Sequence, residues 1–338
     1  MPGNLASQKL QFGREVTAKT AVAATTIWRG VGGMPHDNRP PVFVEEHLGI
    51  ITNTDRTYIP KIEAAIALAA TPATFEQLPH LLEMGIKAAT GTQDGAGSGY
   101  IYAYPIGTTT TNTIKTYTIE GGDNQDVQEV EGCFAEQITI SGTGGESVMM
   151  SANIIGCQTS NASFTGALTI PTVEAILAQK GQLFIDNVGG TFGTTAVTGT
   201  LLDFTLTINT GQAAKYTIDG NQLIYDFSYF NKEAYEVTLD VTLEHSASAV
   251  TELRTNMRAE TTRMIRLDFT GNALGTSGTT YSNKKLLIDL YGKWENPDAL
   301  DSNEGNSILT ATFRSGYNVA DATDAMQITV VNELTALP

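Results

Sequence analysis

Apolar and polar residues alternate one for one along much of this chain. The clearest run is YEVTLDVTLEH at 235–245: Tyr235, Val237, Leu239, Val241 and Leu243 share one side, and Glu236, Thr238, Asp240, Thr242 and Glu244 share the other. A period of two is that of a strand with one buried face. From Tyr100 to about Ser160 the same period runs through YIYAYPI, TIKTYTIE, DVQEVEGCFAEQITISG and ESVMMSANIIG, broken at GTTTTN, GGDNQ and SGTGG. Those breaks are turn sequences, so the stretch predicts a meander of antiparallel strands. ALTIP, QLFIDNVGG and LLDFTLTINTG predict weaker strands over 161–222. MIRLDFTG, KKLLIDLYGKW, SILTATFRSGY and MQITVVNEL continue the series to the end.

The stretch CFAEQITISGTGGESVMMSANIIGC, 133–157, predicts a hairpin centred near Gly145. Ile138 then faces Ala152, and Ile140 faces Met150. The even positions form a core face apart from Glu136; Gln137, Thr139, Ser141, Ser151 and Asn153 form a polar one. A one-residue slip would exchange the faces, so burial fixes the register. In this register Cys133 lies opposite Cys157. A directly paired cross-strand disulfide is strained, so two free thiols are expected.

The helical period of 3.6 appears twice. In TPATFEQLPHLLEMGIKAA, Thr74 is the expected N-cap and Gln77 completes a capping box. Phe75, Leu78, Leu81, Leu82 and Ile86 then share an apolar face for packing on a sheet. SAVTELRTNMRAETTRM predicts a second helix over roughly 248–263. KIEAAIALAA at 61–70 fits a short helix or an apolar strand. Residues 1–56 are mixed, and Pro40-Pro41 makes HDNRPPVFVEEHLG an extended arm or an edge strand. Each half has one helix and several long strands. That divides the chain into an arm with first strands (1–56), a first β domain (57–165) and a second (166–338).

Composition narrows the functional classes. The 338 residues carry 36 acidic and 20 basic side chains, a net charge of −16. Only Lys284-Lys285 and the spaced Arg254, Arg258, Arg263 and Arg266 gather positive charge, which argues against gripping a phosphate backbone. It leaves room for an acidic wall that DNA passes without sticking. No run of 18 apolar residues and no apolar leader segment is present, so no membrane span or signal peptide is expected and folding in a cytosol is the default.

Candidate chemistry is sparse. His36, His47, His80 and His245 are scattered with no zinc spacing. GTQDGAGSGY and SGTGGES lack the residues of a phosphate loop or dinucleotide fingerprint. DNQD at 123–126 lacks the closing Glu of a calcium loop. No Ser or Cys stands in a nucleophile context. No enzyme, metal or cofactor is expected. The acidic row Glu236, Asp240 and Glu244 is either a solvated strand face or a wall kept negative.

The order of pieces carries a resemblance. TYTIEGGDNQ…VEG leads into CFAEQITISGTGGESVMMSANIIG; LLDFTLTINTG leads to a long strand, a helix and KKLLIDLYGKWENP; SILTATFRSGYNVADATDAMQITVVNEL closes the chain. From about residue 58 to 334 this resembles the tail tube (major tail) proteins of long flexible-tailed, siphovirus-type bacteriophages. The resemblance implies a mainly β protein: antiparallel β-sandwich or barrel tail-tube domains with flanking α-helices, two in this chain. It implies a structural virion protein, assembled in the host bacterial cytoplasm, whose rings stack into the hollow tail tube for double-stranded DNA ejection. Partners would be further copies, a tape measure protein, and tail terminator and tip proteins. Two domains per chain favour a trimer with pseudo-sixfold symmetry over a hexamer. Glu236, Asp240 and Glu244 are the candidate lumen wall. Gln137, Thr139, Ser151 and Asn153 are candidates for lumen or subunit interface. The arm and the loop 88–113, with Asp94, Tyr100, Tyr102 and Thr110, are candidates for ring-to-ring contact. The rival readings are a baseplate or capsid-decoration protein, and a lectin-like or carbohydrate-active β protein.

Overall fold

A computed structural model describes residues 2–52, 55–218, 220, 222–230, 235–317 and 325–338. Part of the closing segment compared above, 318–324, lies outside the described residues. The longer strands are β1 (Lys9–Arg14), β2 (Glu63–Pro72), β3 (Tyr100–Pro105), β4 (Tyr117–Gly122), β5 (Val127–Thr143), β6 (Met149–Gly156) and β7 (Gly181–Asn187). They continue with β8 (Leu201–Asn209), β9 (Glu236–Glu244), β10 (Arg263–Ala273), β11 (Asn283–Trp294), β12 (Asn306–Ser315) and β13 (Met326–Asn332). All pair antiparallel, as period-two sequences joined by short polar turns should.

Two broad sheets follow from the pairings. In the first, neighbours run β2–β6–β5–β8–β9–β12. In the second they run β7–β10–β11–β13–β3. β12 reaches β11 through Gly292 opposite Ser315, which joins the two. The first half of β5 leaves the first sheet to pair with β4, and β4 pairs with β1. Strands from both halves of the chain thus share one hydrogen-bonded network around one main core.

β5 changes neighbours between Cys133 and Phe134, and just beyond, at a bulge between Ala135 and Gln137, Glu136 is the extra, exposed residue. The hairpin register holds beyond it: Ile138 pairs with Ala152 and Ile140 with Met150. The bulge corrects the expected alignment of the cysteines, since Phe134 now pairs with Ile155 and Cys133 with Tyr117. Both thiols are free and buried. Burial pushes Cys133 well above the usual thiol range and Cys157 up to about 12. Gly132 turns the chain between them at φ +67; a side chain there would strike the Tyr225 hydroxyl and the Cys157 sulfur.

Three other expectations change. KIEAAIALAA is strand: Ala64, Ile66 and Leu68 are buried in β2, and Ala65 and Ala67 are exposed. The second helix starts on schedule, with the Ser246 hydroxyl accepting from Ala249 N, and runs as α2 (Ala247–Val250) into a π turn, Thr251–Asn256. It stops before 263 because Glu260 turns left-handed at φ 51, and Arg263 opens β10 instead, pairing with the buried Glu252. The N-terminal segment is no free arm along its whole length. β1 lies inside the fold with Leu10 and Phe12 buried, and only the hairpin Val42–Phe43/Thr57–Tyr58 stands out.

The first helix, α1 (Leu78–Gly85), is buried on every side and not along one face as expected. Thr74 Oγ1 accepts from Gln77 N at 3.1 Å, but the helix opens at Leu78 with Gln77 as its N-cap and no side-chain cap bond, so the expected cap at Thr74 holds the turn before the helix instead. The Gln77 side chain turns away to donate to the Ile27 carbonyl at 2.9 Å. His80 and Glu83, which a one-sided helix would point to solvent, meet polar partners inside. Arg14 grips Glu83 with two hydrogen bonds of 2.8 and 2.9 Å, and the Tyr117 hydroxyl donates to it at 2.9 Å. His80 Nδ1 lies 3.0 Å from the same hydroxyl.

This network makes stability pH-dependent. Burial, helped by the Arg14 charge, lowers His80 from 6.5 to about 4. The unfolded chain therefore binds the proton first. The stabilisation is complete above about pH 6.5 and is lost as pH falls towards 4, a change on the order of 3 kcal/mol. In urea unfolding, His80→Phe should flatten the fall in stability between pH 6.5 and 4.5 relative to the wild type. Identical slopes would remove His80 from the account.

Candidate functional site

The polar side of the first sheet is ordered by its strand pairing. Strand pairing lines its side chains into rows across the strands. One row runs Asn153 (β6), Gln137 (β5), Asn209 (β8) and Glu236 (β9), each directly opposite the next. The side chains are linked too. Asn153 donates to Gln137 at 3.2 Å, Gln137 to Asn209 at 2.8 Å, and Asn209 to Glu236 at 3.3 Å. Glu236 then accepts from Arg314 on β12, and Arg314 also donates to Glu295. The next row is Ser151, Thr139, Thr207 and Thr238. Beyond it lie Ser141, Thr205, Asp240 and Thr312, in which Thr312 donates to Asp240. In a fourth row Thr242 donates to Asp203 at 2.9 Å.

The face is thus made of hydroxyls and amides that satisfy one another. On β5, β6, β8, β9 and β12 its charges are Asp203, Glu236, Asp240 and Glu244 against one cation, Arg314. Two carboxylates hold that guanidinium and raise it further above its usual range, while its hydrogen bonds hold Glu236 below the carboxylate range. β2 closes the sheet on the other side with exposed Ala65 and Ala67. Nothing here presents a free cation or a nucleophile. Among the described residues, no cluster of His, Cys, Asp and Glu could hold a metal ion.

The structure brings seven of the candidate residues onto this face: Glu236, Asp240, Glu244, Gln137, Thr139, Ser151 and Asn153. Glu244 lies at the end of β9, opposite Ile308. The candidates in 88–113 separate. Tyr102 is fully buried in β3 and its hydroxyl donates to the Leu334 carbonyl at 2.6 Å. Asp94 is 4 % exposed and accepts from the Thr280 and Tyr281 amides. Tyr100 is half-buried in β3, and only Thr110 is exposed. The alternation of YIYAYP makes a strand of the middle of this stretch and leaves exposed residues on either side of it, over 90–96 and after Pro105.

Sequence reading missed Asn209 and Arg314. Both stand on alternating strands, at polar positions in phase with the acidic row, and that phase was the available signal. Their pairing partners were not readable from one strand at a time.

A family model described as phage tail tube protein matches residues 7–315, nearly the whole chain. The chain belongs to the phage tail tube protein family. No curated protein matches the chain. Membership makes this chain a structural component of a phage tail. The β-rich architecture agrees, and no helix among the described residues is long and apolar enough to cross a membrane.

A tail tube protein should tolerate change on the polar face more readily than in the core behind it. Gln137→Ala should cost less than about 1 kcal/mol, since the groups it frees remain partly solvated. Ile138→Ala, one residue away and fully buried, should cost about 2–5 kcal/mol. Urea midpoints of the two variants measure the contrast, and equal losses would mean that Gln137 is covered.

Proposed function

We propose that the chain forms homo-oligomeric rings that stack into the hollow tail tube of a siphovirus-type phage, and that the polar face of the first sheet lines the bore. The observation that carries this is the composition of that face: Thr, Ser, Asn and Gln paired with one another, four carboxylates, and one clamped arginine. Double-stranded DNA binds through phosphates to free cations. A wall with none free, and with excess negative charge, lets the duplex pass without specific binding.

Glu236, Asp240 and Glu244 keep the wall negative, and Gln137, Thr139, Ser151 and Asn153 extend it across β5 and β6. The two halves of the chain, 57–165 and 166–338, which we read as two tube units fused around one core, give this sheet three long strands each: β2, β5 and β6 from the first, and β8, β9 and β12 from the second. That equal share supports a trimer with pseudo-sixfold symmetry. Strands lie about 4.8 Å apart and tilt by roughly 40° in closed barrels. Six from each of three copies close a bore of roughly 35 Å between backbones, which side chains narrow around a duplex. Six copies would double it and leave the DNA loosely held.

Edge strands that are a hazard in a monomer would join neighbouring copies. Ring-to-ring contact falls to the exposed parts of the expected segments: the hairpin strands Val42–Phe43 and Thr57–Tyr58 and the loop around Thr110. Tape measure, terminator and tip proteins complete the tail, which is assembled in the host cytoplasm.

Negative-stain electron microscopy of the purified chain at rising concentration tests the reading. Hollow rods of uniform width and threefold end views are expected. Monomers or small oligomers at every concentration would count against it. In phage carrying Glu236→Lys with Asp240→Lys, genome ejection should slow and become more salt-dependent. Unchanged ejection at low and high salt would move these residues off the bore.

A further inference from the structure

The first sheet has two chemically different ends. At one end Ala64 pairs with Gly156, Gln137 with Asn209, and Asn209 with Glu236. The strand His36–Asn38 pairs there with Glu63–Ala65, and the hairpin Val42–Phe43/Thr57–Tyr58 projects beyond it. This hairpin is held by a two-residue ladder and turns its apolar side chains outward. Phe43 is 72 % exposed, Leu48 61 % and Ile51 106 %. A two-stranded hairpin is marginal in water without something to pack on.

At the other end Met149 pairs with Pro72, and Thr143 with Asp203. Beside them is a cavity of about 160 Å³, lined by Gly144, Leu183, Thr200, Phe204, Leu267 and Phe269 among others. The Thr200 hydroxyl is buried there without a hydrogen-bond partner. An unpaired buried hydroxyl is costly, which marks the place where a polar group is missing. A space of this volume is about the size that takes up a benzene ring, and its open, mixed lining sets the rings of Phe204 and Phe269 beside the polar Gln182, Thr198 and Asp203.

We propose that the hairpin of one copy docks on the copy stacked against it and inserts Phe43 into this cavity. The inference rests on the tube reading and names the residues of its axial contact. Phe43 fits because its side chain is a phenyl ring and because its position is fixed by pairing with Thr57, whereas Leu48 and Ile51 lie in the loop beyond. An inserted strand carries backbone carbonyls, and a rotation of the Thr200 side chain towards the pocket would give its hydroxyl one of them as acceptor. Donor and acceptor sit at opposite ends of one sheet, so the contact is head-to-tail and repeats without closing.

The test compares assembly of wild type, Phe43→Ala and Thr198→Trp, which fills the cavity mouth, by sedimentation and electron microscopy. Phe43 is exposed, so Phe43→Ala should keep the wild-type melting temperature while raising the concentration needed for rods at least tenfold. Thr198→Trp should do the same. Mixed together, they should form one junction, between an intact hairpin and an intact cavity, and stop at ring pairs. A Phe43→Cys/Thr198→Cys variant, oxidised with copper phenanthroline, should give a ladder of multimers on a denaturing gel. Phe43→Ala rods at wild-type concentrations would overturn the inference and leave the tube reading standing. Wild type without rods, together with a double-cysteine variant without a ladder, would overturn both.

Discussion

A carboxylate at the centre of the core, Glu83, sets the terms for the elements around it. Its side chain has no exposure, while the Arg14 side chain that pairs with it keeps a third of its own. An ionised group in such a place is tolerable only when every lone pair is used. Arg14 comes from β1, Tyr117 from β4 and the Ala89 amide from the segment after α1, and all three converge on it. The Glu83 backbone carbonyl takes the Lys115 amide as well. The helix therefore has one position in the molecule, and the strands that cover it have one register. Breaking such a pair costs about 3–5 kcal/mol, because the charge left behind has no water to turn to. Tyr104 and Tyr117, close to the same charge, are pushed well above the usual phenol range by burial and by Glu83 itself, so they serve as neutral donors.

The outer side of the first sheet follows the opposite logic. Its side chains spend their hydrogen-bonding capacity on each other, along rows set by the strand register. Thr is suited to this, being β-branched for the strand and carrying a hydroxyl for the row. A surface of this kind is wet but has few unmet demands. Arg314, its one cation, is offset by two carboxylates, so the local field stays negative without a free positive group.

The strands and the hairpin face were legible because period two is a local signal. Ile138, Ile140, Met150 and Ala152 follow from burial alone, and the structure pairs them so. The bulge at Glu136 was not legible, since it lies just past the point where β5 leaves one sheet for another, and no residue within the strand records its neighbours. For the same reason the helix over 78–85 was visible but its surroundings were not. Periodicity assigns His80 and Glu83 to solvent, and only Arg14 and Tyr117, far off in sequence, bring them inside. Tyr102 shows a further limit: a tyrosine in a polar-looking segment is a core residue when its hydroxyl finds a carbonyl. Of the candidate face, the acidic row was readable strand by strand, but the links from Asn153 to Arg314 exist only once five strands are aligned.

The two cysteines bear on a different matter, the durability of the particle. On the proposed assembly in the host cytoplasm, the chain is made in a reducing compartment and used outside it, where thiols tend to oxidise. Oxidation proceeds through the thiolate at an accessible sulfur. Cys133 and Cys157 are buried, and their protons are held far more tightly than those of a free thiol. The covalent structure can therefore be the same on the day of assembly and after long storage in air, with no bond to form on release and none to lose.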